Sequence, residues 1–136
     1  MQTYITREQD YALRILSALA GHNEQPQLNI TMLCKKLHIT RSFAGKIIHK
    51  LKHAGIVSTT QGQFGGVTLS KSAGMLSIYD VLSTIGFRTK FNECLRDEIN
   101  CPLETICGFH SYFHKIEKNF LNDMKSKMIS EFIIHI

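Results

Sequence analysis

Apolar residues recur every three or four positions along three segments of the first half of the chain, and this spacing predicts three helices. Thr6 is the predicted N-cap of the first helix. The second helix is predicted over residues 30–37 and the third over residues 41–53, with Thr40 as N-cap of the third. Only a short turn separates the second and third helices, so they are expected to form a helix-turn-helix pair.

Two runs rich in β-branched residues follow the third helix, at residues 56–60 and 67–70. The segment between them is rich in glycine, which predicts a β-hairpin. Ser77 then opens another helix that extends to about Gly86. Helix, turn, helix and two-stranded ribbon are the order of a winged helix-turn-helix, so the predicted fold class is mainly α with a small β-hairpin.

The last third of the chain begins with an irregular segment, residues 87–108, and continues with one long predicted helix, residues 109–132. The helix is predicted from apolar side chains three or four positions apart. These side chains are Phe113, Ile116, Phe120, Met124 and Met128.

Charge is distributed unevenly over the 136 residues, whose formal net charge is +5. Between Glu24 and Asp80 there is no acidic residue but there are seven basic ones, so the remaining nine basic and eleven acidic residues sum to −2. A basic block suits a polyanionic partner, although charge alone fits a solvated basic face equally well. The agreement of this charge with the helix-turn-helix pattern predicts binding to double-stranded DNA.

In this interpretation the third helix enters the major groove and the hairpin tip contacts the backbone or the minor groove. Arg41 is suited to a guanine edge, whereas Lys46 and Lys50 are suited to phosphates. The predicted DNA-contacting residues are Thr40, Arg41, Ser42, Lys46, His49, Lys50, Gln61, Gln63 and Gly65.

Composition excludes several other classes of protein. Hydrophobic residues make up 43% and charged residues 20% of the chain, which is ordinary for a globular protein and unlike a disordered or fibrous one. No apolar run reaches the roughly 18 residues that a membrane span needs. The first residues lack the basic and apolar pattern of a secretion signal, so a cytoplasmic location is expected, with no membrane partner.

Three of the four cysteines lie close together, with six residues between Cys94 and Cys101 and five between Cys101 and Cys107. Structural zinc sites usually contain cysteine pairs two to four residues apart, and this chain has none. The longer gaps suit an iron–sulfur cluster, in which a non-cysteine ligand can take one position. The candidates for that position are His110 and Asp10.

Other roles for these thiols stay open at this point. Cys107 and His110 could form a nucleophile–base pair, but nothing in the sequence supplies an oxyanion hole or a substrate pocket, so an enzyme is not expected. The thiols could also act as a redox switch without a cofactor, or have no role. Cys34 lies among Leu33 and Leu37 and is expected to be a small core residue.

Four motifs stand out, at residues 10–14, 46–57, 62–69 and 94–107. Together they resemble the IscR/NsrR/RirA family of winged-helix iron–sulfur transcription regulators, over nearly the whole chain. Asp10-Tyr11-Ala12-Leu13-Arg14 is similar to the family's first-helix motif, and Lys46-Ile47-Ile48-x-x-Leu51-x-x-Ala54-Gly55-Ile56-Val57 to its recognition helix and first wing strand. Gly62-x-x-Gly65-Gly66-Val67-x-Leu69 is similar to the wing, and Cys94, Cys101-Pro102-Leu103 and Cys107 to the cluster loop.

The resemblance implies a homodimer, joined through the C-terminal helix, that reads a pseudo-palindromic operator. It also implies that a cluster held by Cys94, Cys101 and Cys107 controls operator affinity in response to iron or cluster status, nitric oxide or redox stress. His110 matches the histidine ligand of the IscR branch, which holds a 2Fe–2S cluster. Asp10 matches the aspartate that reaches a 4Fe–4S cluster from the partner subunit in the NsrR branch.

With this resemblance the chain divides into three expected regions. Residues 1–75 form the winged helix-turn-helix DNA-binding domain, residues 76–108 the connecting helix and cluster-binding loop, and residues 109–136 the dimerisation helix. The expected function is transcriptional regulation, with repression as the expected output.

Overall fold

A computed structural model describes residues 3–22, 27–88 and 90–136, and within these ranges it contains five α-helices and one antiparallel pair of strands. The elements are α1 (Arg7–Ala20), α2 (Ile30–Leu37), α3 (Arg41–His53), β1 (Val57–Thr59), β2 (Val67–Leu69), α4 (Ile78–Thr84) and α5 (Gly108–Ser126). Short 3-10 turns lie at Ala73–Met75, Glu93–Leu95 and Ile129–Glu131.

The predicted helix-turn-helix is confirmed, with α2 and α3 at the predicted bounds. The side chain of Thr40 accepts a hydrogen bond from the Phe43 amide, which satisfies one of the free N–H groups at the start of α3. His38 ends α2 in the left-handed conformation, with φ of 54°, and this reverses the chain within a short turn.

The hairpin is also confirmed, with strands slightly shorter than predicted. Val57 pairs with Leu69 and Thr59 with Val67, so the buried valines of the two strands lie on the face that packs against the helices. Alternating side chains point outward, where Ser58 and Thr68 form a hydrogen bond of 3.0 Å across the strands.

The main core lies where α1 packs against the helix-turn-helix pair. Ile15 and Leu16 of α1, Leu33 of α2, and Ile47 and Leu51 of α3 are fully buried in one cluster. Burying each such side chain contributes about 1.5–3 kcal/mol, so this cluster fixes the position of α3 relative to the rest of the domain.

The predicted helix over residues 109–132 is wrong in its last turns, because α5 ends at Ser126. Lys127 is extended, and its carbonyl accepts a hydrogen bond from the amide of Ile78. The amide of Ile129 donates to the carbonyl of Leu76, so the chain returns to the segment that precedes α4.

Burial of Ile129 explains why the helix does not continue. Its side chain is only 1% exposed and belongs to the main core cluster. A helix that continued straight would leave this isoleucine away from the core, so tertiary packing overrides the local helical pattern. The end of the chain then lies against α1, where the amide of Ile134 donates to the carbonyl of Ser17.

The irregular segment predicted at residues 87–108 contains only the 3-10 turn Glu93–Leu95 among its described residues, and residue 89 lies outside the described part. Residues 23–26, between α1 and α2, also lie outside it. No helix within the described ranges is long and apolar enough to cross a membrane.

Candidate nucleic-acid interface and cysteine pocket

The predicted DNA-contacting side chains of α3 lie mainly on its solvent-facing side. Thr40, Arg41, Ser42, Lys46 and His49 are all exposed. Because the opposite side of α3 is buried in the core, these five residues form the surface that the helix can offer to a partner.

Lys50 is arranged differently from the other predicted contacts of α3. Its ammonium lies 2.6 Å from a carboxylate oxygen of Glu8 in α1, and its side chain is partly buried. Part of its charge is therefore neutralised within the chain. The 42-residue separation of the two partners explains why local sequence patterns did not indicate the pair.

Arg41 lies in a cleft between the start of α3 and the hairpin. Its Nη1 donates to the Thr31 hydroxyl at 3.1 Å, which holds the guanidinium at the mouth of the cleft. The cleft has a volume of about 400 Å³ and is also lined by hairpin residues that include Gln61 and Gly65. The helix surface and the wing, defined here as residues 57–69, are thus parts of one continuous surface.

Internal packing requires Gly65 in the wing. A Cβ atom at Gly65 would lie 2.2 Å from the carbonyl oxygen of Thr60, far inside van der Waals contact. The amide of Gly65 donates to the carbonyl of Gly62, and the amide of Thr60 donates to the carbonyl of Gly66. The wing tip is therefore a closed turn that leaves the side chains of Gln61 and Gln63 exposed.

The three clustered cysteines lie in different local structures. Cys94 is in the 3-10 turn, Cys101 is in an irregular turn, and Cys107 is the N-cap of α5. All three are partly exposed and unbridged. In the described part of the chain, no three His, Cys, Asp or Glu side chains lie close enough together to hold one metal ion.

His110 and Cys94 nevertheless line one open pocket of about 530 Å³, together with Glu104 and His114. Nδ1 of His110 is buried and has no hydrogen-bond partner, whereas Nε2 lies 3.6 Å from a carboxylate oxygen of Glu104. A buried polar nitrogen without a partner is costly unless something binds to it. The structure thus brings two of the predicted ligands, Cys94 and His110, to one pocket.

Asp10, the alternative fourth ligand, lies elsewhere on the surface. Its carboxylate forms an ion pair of 2.9 Å with Arg14 one turn further along α1, and both side chains are about half exposed. Asp10 is not among the described residues that line the pocket of Cys94 and His110. Within one chain, His110 is therefore the better placed of the two candidates.

Glu117 is a site residue that the sequence analysis missed. Its side chain is only 6% exposed, and its carboxylate accepts hydrogen bonds from the Phe91 amide at 3.1 Å and from Lys90 at 3.3 Å. It thereby connects the beginning of the cysteine loop, defined here as residues 90–107, to the middle of α5. A signal was present, because Glu117 is a charged residue four positions after Phe113 of the apolar stripe.

The first half of α5 carries apolar side chains that the chain itself leaves uncovered. Phe109 and Tyr112 are exposed, and Phe113 and Ile116 are only half buried. Leu103 and Ile106 of the preceding loop add to this exposed surface. Contiguous apolar patches of this kind usually mark an interaction site.

Comparison with known proteins assigns this architecture. Residues 5–134 match the Rrf2 family, described as iron-dependent transcriptional regulators. The chain belongs to the Rrf2 family. It is a transcriptional regulator with a winged-helix fold, which confirms the fold class and the resemblance inferred from its motifs.

Relatives of this Rrf2 chain include the HTH-type transcriptional regulator NsrR of Bacillus licheniformis, which is 28% identical over 132 residues, covering 96% of this chain and 92% of the relative. Protein aau3 of Rhizobium meliloti is 28% identical over 130 residues, covering 95% of this chain and 84% of the relative.

Solved structures share the fold at lower sequence identity. A transcriptional regulator from Listeria innocua superposes with a TM-score of 0.80 at 18% identity, covering 94% of this chain and 84% of that one. CymR, the global cysteine regulator of B. subtilis, gives 0.72 at 16% identity, covering 98% and 100% of the two chains. IscR of T. potens gives 0.71 at 15% identity, covering 94% and 84%.

Proposed function

We propose that this Rrf2 protein is a homodimeric repressor whose affinity for its operator DNA is controlled by an iron–sulfur cluster. The observation that carries the cofactor proposal is the buried and unpartnered Nδ1 of His110, in a side chain that lines a pocket with Cys94. An unpartnered imidazole nitrogen, on a side chain that shares a pocket with a thiol, offers donor types that suit a transition metal.

The donor set of the loop fits such a cluster chemically. Cys94, Cys101 and Cys107 would supply thiolates and His110 an imidazole, which is the ligand set expected for a 2Fe–2S cluster with one nitrogen ligand. Cys107 stands at the N-terminus of α5, three residues before His110, so the two side chains come from the same end of one helix. When bound, the cluster would supply a centre that responds to oxidants, nitric oxide and iron supply. If Asp10 of a partner subunit were the fourth ligand, a 4Fe–4S cluster would be expected instead.

Control of DNA binding would arise from the geometry of the loop. The four ligands do not converge in the described structure, so holding them on one cluster requires residues 90–107 to change shape. Because cluster binding favours the ordered loop, its free energy biases the equilibrium between two loop arrangements.

The loop is physically connected to the DNA-binding surface. Glu117 ties its beginning to α5, and Leu82 of α4 packs with Phe87 and with Met124 of α5. Ile85, at the end of α4, belongs to the same core cluster as α1 and α3. A shift of the loop would therefore move α4 and α5 relative to α3, and so change the spacing of two DNA-reading helices in a dimer.

The proposed dimer uses the exposed apolar surface of α5. A second copy that covers Phe109, Tyr112 and Ile106 would remove a patch that is unusual for a monomer. A C2 interface along this helix would relate two copies of α3 by a twofold axis, which matches the symmetry of a pseudo-palindromic operator.

The direct test is anaerobic purification of the full chain, followed by assays of iron and acid-labile sulfide and by visible absorption. We expect a coloured protein with about two iron and two sulfide per chain for a 2Fe–2S cluster. After removal of the cluster with a chelator, binding to a duplex recovered by selection from a random library should weaken at least tenfold. Colourless protein that binds the same duplex at full affinity would refute the cofactor proposal and leave DNA binding intact.

A regulator that uses the thiols as a redox switch is the second candidate. Two observations favour it. The predicted ligands do not converge in the described structure, and the fold is similar to that of CymR, which is the global cysteine regulator of B. subtilis and has a solved oxidized form in Staphylococcus aureus. In that case a colourless protein should lose operator affinity on mild oxidation and regain it with a thiol reductant.

The Lys46→Ala variant tests the electrostatic part of DNA binding. Lys46 is exposed on α3 and is proposed to contact a phosphate, so its removal should reduce the slope of log affinity against log salt by about one. Lys50→Ala should reduce the slope less, because Glu8 already neutralises part of its charge. Lys118→Ala, an exposed lysine of α5, is the matched control and should leave the slope unchanged. Equal slopes for all four proteins would contradict the proposed role of α3.

A further inference from the structure

We propose that Phe64, at the tip of the wing, inserts its ring into the minor groove of the operator as an apolar wedge. The inference rests on the proposed operator binding and adds a residue, a groove and a type of DNA step to it. The partner is a duplex whose minor groove is rich in A·T pairs and contains a flexible pyrimidine–purine step.

The exposure of Phe64 is the first observation. Its side chain is 76% exposed at the end of the hairpin, although phenylalanine is among the residues most often buried. Its neighbours in the tip are Gln61, Gly62, Gln63 and Gly65, so the ring projects from a narrow segment with little bulk around it.

The tip holds this ring on a closed and well-supported turn. The amide of Thr60 donates to the carbonyl of Gly66, and the amide of Gly66 donates back to the Thr60 hydroxyl at 3.2 Å. At the base, the amide of Val67 donates to the carbonyl of Leu28. A preorganised loop loses little conformational entropy on binding, so burial of the ring would be converted efficiently into affinity.

The position of the tip relative to α3 points to the minor groove. Arg41 at the start of α3 and the wing residues Gln61, Gly62 and Gly65 line the same cleft. When α3 occupies the major groove, a projection beside its first turn crosses the phosphate backbone towards the adjacent minor groove. The partner of the exposed ring is therefore the same duplex that α3 reads.

The absence of charge at the tip indicates how it would bind. Residues 61–66 contain no lysine or arginine, so the tip releases no counterions when it docks. Gln61 and Gln63 can hydrogen-bond to base edges on the groove floor, and Phe64 can occupy a partly unstacked step. The tip is thus expected to contribute affinity that does not depend on salt, whereas the lysines contribute affinity that does.

The test compares wild type, Phe64→Ala and Phe64→Leu as full-length protein on a duplex recovered by selection from a random library. We expect Phe64→Ala to bind about tenfold more weakly with an unchanged salt slope, because only apolar burial is lost. Phe64→Leu should recover most of the affinity, since leucine also acts as a wedge. Met75→Ala is the matched control: Met75 is 80% exposed but lies beyond the hairpin, and its loss should have no effect.

Two changes in the DNA locate the ring. With 2-aminopurine placed at successive adenines, wild type should raise fluorescence at one pyrimidine–purine step in each half-site of the operator, and Phe64→Ala should not. Replacing adenine by 2,6-diaminopurine adds an amino group only in the minor groove. This replacement should weaken DNA binding by the wild type more than DNA binding by Phe64→Ala.

The outcomes separate the wedge from the proposed function. If the wild type binds no duplex in the selection, the proposal of operator binding is refuted, and the proposal of a Phe64 wedge is refuted with it. If wild type binds and Phe64→Ala binds equally well, or if the substitution changes the oligomeric state by light scattering, only the wedge is overturned.

Discussion

The Cys101→Ala variant is expected to contain neither iron nor acid-labile sulfide after anaerobic purification, and to bind its operator at least tenfold more weakly than the wild type. Cys101 is the middle ligand of the proposed set, and it lies in a turn between the 3-10 segment of Cys94 and the start of α5. Without it, the two remaining thiols cannot hold the loop on one cluster. Without the free energy of cluster binding, the ordered arrangement of the loop is no longer favoured.

Cys34→Ala is the matched control for this experiment. Cys34 is buried in α2, and burial raises the pKa of its thiol despite the opposing effect of the Arg41 charge, so the thiolate form of Cys34 is disfavoured. We expect this variant to keep full iron, sulfide and operator affinity. If Cys101→Ala also keeps them, Cys101 is not a ligand. If Cys101→Ala loses operator affinity although the wild type contains no metal, the thiol switch becomes the better explanation.

Sequence patterns predicted the local parts of the fold well. The bounds of α2 and α3 follow from apolar spacing and from Thr40, whose side chain completes the first turn of α3. The hairpin follows from its β-branched residues and glycines. These features depend on neighbours only a few residues apart, so they are visible in a short window of sequence.

Contacts between distant residues account for what could not be predicted. The sequence predicted Lys50 as a phosphate contact, but in the structure Glu8 of α1 forms an ion pair with it. Glu117 is a charged residue of α5, yet the fold buries its carboxylate against the start of the cysteine loop. The spacing predicted Cys94, Cys101, Cys107 and His110 as ligands of one cluster, whereas of these four the described pocket is lined by Cys94 and His110.

The end of the chain gives the second large expected effect, a loss of stability in Ile129→Ala. Ile129 is 1% exposed and packs into the main core, and its amide donates to Leu76. Truncating a buried isoleucine costs about 2–5 kcal/mol through lost burial and the cavity left behind. For a domain of this size the expected decrease in Tm is about 10 °C, measured by circular dichroism.

Ile133→Ala is the matched control, and it also distinguishes the observed chain path from the predicted one. In a helix that continued to residue 132 and beyond, Ile129 and Ile133 would lie on the same face, one turn apart, and their truncation would have similar effects. In the structure the helix ends at Ser126, and Ile133 is 40% exposed. Ile133→Ala should therefore cost under about 1 kcal/mol. Equal losses in the two variants would mean that the helix continues and that the return of the chain to the core is wrong.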